Sequence, residues 1–178
     1  MKRIVIITTL FFLNTNIFCQ VYMSRTGFIG FYSKTPLEDI IAENQQAYAV
    51  VDLGKKQLAF VVLIKAFEFK KELMQTHFNE NYAESDKYPK ASFTGSFSGD
   101  VNGKPTNMEV NGNLTLHGVT RNIRVPVTML LADGKLAGHS KFTLKPEDFD
   151  ISIPSLVRDK ISSQITVEVK LNADMIKN

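Results

Sequence analysis

The chain has 178 residues, 44% of them hydrophobic, a formal net charge of +3 and one cysteine. That hydrophobic share can bury a core, which excludes a disordered chain, and the length suits about one domain. The near balance of 21 basic and 18 acidic residues, with no clustered Lys/Arg face, excludes a nucleic-acid binder, and a lone cysteine excludes a disulfide scaffold.

Lys2 and Arg3 form a basic start, Ile4 to Leu13 an apolar run, and Asn14 to Gln20 a more polar stretch. This is the pattern of a secretory signal peptide over residues 1–19, although Phe18 and Cys19 depart from the small residues favoured at a cleavage point. Asn14, Thr15 and Asn16 break the apolar run well short of the roughly 20 residues a spanning helix needs, so no stable membrane span is expected. The expected product is one exported domain over residues 20–178, periplasmic or secreted. Without Lys2 and Arg3 it carries 19 basic against 18 acidic residues, so the pI of 8.9 overstates its basicity. Cleavage after Cys19 removes thiolate chemistry altogether. Lipid anchoring through Cys19 is disfavoured, because Phe18 replaces the small residue such a motif requires.

From residue 20 onward, polar and apolar residues alternate with a period of two. Runs at 26–33, 46–53, 56–66 and 90–98 read as strands. A short helical turn is expected from Pro36 to Ala42. Between 70 and 83 the period changes: Leu73, Met74, Phe78 and Tyr82 recur at helical spacing, with Pro89 beyond them, which predicts an amphipathic helix across one end of the fold. Alternation resumes with Val110, Gly112, Leu114 and Leu116, then Ile123, Val125, Val127 and Met129, then 135–144. After a brief connector at 145–148, a last strand spans 161–171. Leu53-Gly54-Lys55, Asn102-Gly103-Lys104, His117-Gly118 and Asp133-Gly134 mark tight turns in which glycine supplies positive φ. Sequential half-buried strands joined by hairpins predict an all-β fold with one or two short helices: an antiparallel up-and-down β-barrel of about eight strands, closed or nearly closed.

Few residues suggest chemistry. His77, His117 and His139 have no metal-ligand spacing and read as surface histidines on a helix, a hairpin and an outward strand face. No Gly-x-Ser-x-Gly elbow occurs, and the acidic clusters lie in expected loops. No catalytic residue, metal site or cofactor is expected. The informative feature is the inward apolar set: Phe60, Val62 and Ile64; Phe93 and Phe97; Leu114; Val125, Val127 and Met129; Gly138 and Phe142; Ile165 and Val167; and Leu73, Met74 and Phe78 on the helix. Gly95, Gly112, Gly138, Ser140 and Ser163 fall at inward positions and would leave space. An eight-stranded barrel is either filled by its own side chains or wide enough for one slender ligand, and alternation alone leaves both open.

Three ordered segments carry a resemblance. Phe67 through Tyr82 followed by Glu84 through Phe93, the hairpin Gly112 through Thr120, and the closing stretch from Phe142 through Asp159, Lys160 and Ile161 together resemble the YceI-like family, in particular its small exported members. The resemblance implies a lipocalin-like barrel that binds a polyisoprenoid lipid, of the isoprenoid quinone or prenyl pyrophosphate type, for storage or transport and without catalysis. A polar head would then sit at the barrel mouth near Lys70, Lys71, His77 or Arg158. Two other readings stand beside it: a dry-barrel structural or partner-binding module, and an enzyme acting on a lipid-like substrate. The oligomeric state is open.

Overall fold

Alternation decides the architecture, because a strand with one apolar face must bury that whole face at once. The structure, a computed structural model, describes residues 20–35, 39–154 and 161–176; the expected signal segment and Arg158 lie outside them. Its strands are β1 (Val21–Lys34), β2 (Asp39–Asp52), β3 (Gln57–Leu63), β4 (Glu68–Phe69), β5 (Lys90–Phe97), β6 (Thr106–Leu116), β7 (Val119–Ala132), β8 (Lys135–Leu144) and β9 (Ile165–Met175). All pairings are antiparallel, and β1 pairs with both β2 and β9. Eight strands therefore close a barrel in the order β1-β2-β3-β5-β6-β7-β8-β9, while β4 adds two residues beside β2 through Ala42 and Phe69.

The turns follow backbone chemistry. His117-Gly118 has φ of 51° and 75°, and Asp133-Gly134 has 51° and 74°. These are the doubly positive turns that match strand twist. The expectation fails at Gly54 and Gly103, neither of which has positive φ; in the β2–β3 turn Lys56 takes that conformation instead, with φ 55°. The helical turn expected at Pro36–Ala42 is corrected over residues 39–42, residues 36–38 lying outside the described ones. Asp39 to Ala42 belong to β2, where Lys34 pairs with Asp39 and Ser33 with Ile40. The long β1–β2 ladder outweighs the local preference.

The helical segment lies where the period changes. α1 (Glu72–His77) continues into a wider π-type turn, Phe78–Tyr82, closed by Ala83 N–H donating to Phe78 O at 2.8 Å. α1 has six residues and no side-chain N-cap, so its stability comes from packing, not from propensity. That packing is aromatic: Phe78 lies 5.3 Å from Phe31, 5.1 Å from Phe69 and 6.0 Å from Phe67 between ring centroids.

Two buried clusters divide the interior. Toward the end that carries the β2–β3 and β7–β8 turns, Tyr22, Val51, Leu58, Phe97, Val110, Met129, Leu136 and Leu171 pack with Ala49 and Ala173. Toward the helical end, Val62, Ile64, Phe67 and Ala91 pack with Ala42, Ala47 and Ala83.

Candidate functional site

Between these clusters runs a cavity of about 590 Å³. It lies within the range of roughly 300–1,000 Å³ typical of ligand pockets. Its wall is built by the inward faces of the strands. β3 contributes Phe60 and Val62, with Ile64 just beyond; β5 contributes Phe93; β6 contributes Leu114; β7 contributes Val125, Val127 and Met129; β8 contributes Gly138 and Phe142; β9 contributes Ile165 and Val167. Leu73, Met74 and Phe78 join them from the helical segment. The fold thus gathers fifteen of the sixteen expected pocket residues around one space.

Phe97 is the correction. It is the last residue of β5, 7% exposed, and packs with Tyr22 and Leu136 beneath the cavity instead of facing it. The small residues also divide. Gly138 faces the cavity, and a Cβ there would meet only Leu171, at 3.5 Å. Ser140 faces it too, with its hydroxyl donating to Pro126 O at 2.6 Å. Gly95 and Gly112 leave no space: a Cβ at Gly95 would lie 2.8 Å from Val110 Cγ1, and one at Gly112 would meet Thr94 O and the Phe93 ring. Glycine is needed there because the Phe93 ring lies across the ladder. Ser163 precedes β9 and is exposed.

The expected pocket set lacks several wall residues, some of them, like Phe31, on a strand that alternation does mark. Phe31, Phe67 and Phe69 form the aromatic collar near the mouth, and Phe149, Ile151 and Ile153 follow β8 outside any long strand. The Phe67-Glu68-Phe69 alternation was a weak signal, too short to count as a strand. The mouth is rimmed by exposed side chains, with Leu73 66% exposed and Lys71, His77 and Lys145 beside it. Lys70, the other basic residue expected there, does not line the cavity.

His117 is not the surface histidine expected of a hairpin. Its side chain is 9% exposed. Nε2 lies 2.7 Å from Glu84 Oε2 and Nδ1 lies 3.1 Å from Phe149 O. Tyr88 packs edge-on against the ring at 4.4 Å. One side chain therefore ties the β6–β7 turn to the loop after the helix and to the turn after β8, so that three separate segments share one anchor.

Ionisable groups with displaced pKa lie elsewhere. The Lys170 ammonium, hydrogen-bonded to Glu168, and then His139 hold the Glu168 carboxyl below its ordinary range. Burial pushes the Tyr32 phenol up, with Glu168 adding to it. A hydrogen bond with Tyr88 and the nearby Glu84 raise Lys87. None of the three lines the cavity. Among the described residues no group of three His, Cys, Asp or Glu side chains is placed to hold a metal, and no helix is long and apolar enough to cross a membrane.

The geometry defines a class first: a closed antiparallel barrel with an apolar internal cavity, the lipocalin-like architecture. The chain belongs to the YceI-like domain family, whose model matches residues 34–173. No curated protein matches the chain significantly in sequence. Among solved structures it is similar to a polyisoprenoid binding domain from Saccharophagus degradans implicated in plant cell wall breakdown, with a TM-score of 0.77 at 16% identity, covering 89% of this chain and 99% of that one. It is also similar to BcnA of Burkholderia cenocepacia, with a TM-score of 0.71 at 14% identity, covering 82% of this chain and 95% of that one. The YceI protein of Campylobacter jejuni follows, with a TM-score of 0.62 at 17% identity, covering 76% of this chain and 85% of that one. At these identities the likeness establishes the fold.

Proposed function

We propose that this protein is an exported carrier that holds one polyisoprenoid-type lipid, of the quinone or prenyl pyrophosphate kind, inside the barrel for storage or transport. The observation that carries the reading is the cavity itself, about 590 Å³ enclosed almost wholly by aliphatic and aromatic side chains. Each methylene-sized group moved from water into such a space is worth about 0.8 kcal/mol, so an insoluble chain is held without directional contacts. A dry-barrel module is disfavoured because interiors normally leave few voids larger than a water. An enzyme is disfavoured because the groups with displaced pKa stand away from the cavity. The description of the Saccharophagus domain as polyisoprenoid binding favours a branched isoprenoid over other apolar ligands. Export rests on the sequence pattern of residues 1–19.

Calorimetric titration of the purified, delipidated protein with a detergent-dispersed prenol tests this reading. One site per chain and a negative heat-capacity change are expected, the mark of apolar surface leaving water. Absence of binding by prenols of every length tried would overturn it.

A further inference from the structure

The cavity ends blind, and its floor has two layers. Val51, Val110, Met129, Leu136 and Leu171 face the space and are at most 5% exposed. Beneath them Tyr22 and Phe97 belong to the same packed cluster but do not reach the cavity. At the opposite end the wall finishes in exposed side chains, Leu73 foremost. A chain therefore enters from the helical end and stops at the floor. Building on the carrier reading, we infer that this floor is a length ruler, with Met129 setting how much of an isoprenoid tail the protein encloses.

The depth of the wall sets the length. The lining runs from Leu136 to Leu144 on β8 and from Leu171 back to Ile165 on β9. Six to eight steps of about 3.3 Å on strands tilted by about 40° give a depth of roughly 15–20 Å. A five-carbon unit advances about 5 Å, four bonds of about 1.5 Å in zigzag, so about four units fit end to end. That is about twenty carbons. Carbons beyond that remain outside the mouth, against Leu73 and the collar, and add little to affinity.

Met129 is the adjustable part of the floor. It sits opposite Gly138 in the β7–β8 register, and Gly138 sits opposite Leu171 in the β8–β9 register. One level of the barrel thus combines a flexible thioether with a neighbour that has no side chain. Shortening Met129 deepens the pore, whereas a ring at Gly138 raises its floor.

The experiment measures affinity for a series of prenols from ten to forty carbons by competitive displacement of a fluorescent lipid. For the wild type, affinity rises at least tenfold with each unit up to about twenty carbons and then changes less than threefold. Met129→Ala moves the break about one unit longer, and Gly138→Phe moves it one or two units shorter. The Gly138 variant keeps the inference testable if the alanine variant does not fold. An affinity that climbs steadily to forty carbons in the wild type, or a break that neither variant moves, overturns the ruler and leaves the carrier reading standing. Failure of every chain to bind overturns both.

Discussion

Two glycines at inward strand positions, Gly138 on β8 and Gly112 on β6, separate a ligand space from a packed core. At Gly138 a new Cβ meets only Leu171, at 3.5 Å and 3.7 Å, which is ordinary contact, and its φ is not positive. Gly138→Phe adds seven heavy atoms that project from the wall into the cavity. The ring displaces about seven methylene-sized ligand groups, so binding of a twenty-carbon prenol should weaken by roughly 3–6 kcal/mol, at least a hundredfold. Folding should be unharmed or improved by about 0.5–1 kcal/mol, because glycine is a poor strand residue. Gly112→Ala is the contrast. Its Cβ would run into Thr94 O, 2.6 Å from Phe93 Cζ and 2.7 Å from Gly95 Cα, and should cost about 1–3 kcal/mol in stability. Thermal denaturation and prenol titration of both variants read the two effects separately. A Gly138→Phe protein that unfolds, or one that binds like the wild type, would refute the placement of empty space at that level.

His117→Ala removes the anchor between Glu84, Tyr88 and Phe149 O and takes that partner from the carbonyl of buried Phe149, while the Glu84 carboxylate, 43% exposed, turns to water. A loss of about 2 kcal/mol is expected, seen as a fall in Tm of roughly 4–8 °C; an unchanged Tm would show the clamp to be incidental. Phe78→Ala should cost about 3 kcal/mol, at the low end for phenylalanine because it is only partly buried, and proteolysis should then cut first between residues 70 and 83. Because the folded-state pKa of Glu168 is depressed, its contribution is present above the unfolded value of about 4.3 and is lost as pH falls below it. As a surface group it should supply under about 1 kcal/mol, so Glu168→Gln should flatten the acid limb of the stability profile only slightly.

The barrel was legible because its strands alternate cleanly. Val110 to Leu116 and Ile123 to Met129 each bury one face, and a shift of one residue would have exposed every apolar group on it. The helical segment was legible for the same reason, since Leu73, Met74, Phe78 and Tyr82 break period two. What alternation could not convey was depth. Phe97 follows Phe93 on the same face yet lies below the floor, because a strand's position along the barrel axis depends on register with its neighbours, which only the β3–β5 and β5–β6 pairings reveal. Gly95 and Gly112 misled for a related reason: a missing side chain leaves space only where no neighbouring ring fills it, and the Phe93 ring does. His117 was hidden because its partners are 33 and 32 residues away in the chain. The wall residues Ile151 and Ile153 lie outside any long strand, so alternation did not mark them, although they fall within the closing stretch that carried the resemblance.

Mass spectrometry of organic extracts from the protein, purified without detergent from the envelope or medium of producing cells, decides whether the barrel holds a lipid. Each barrel should yield one polyisoprenoid species, released on unfolding and depleted in extracts of Gly138→Phe. Protein that yields no lipid, and that fails to take up added prenol, would show that the cavity carries water and not a cargo.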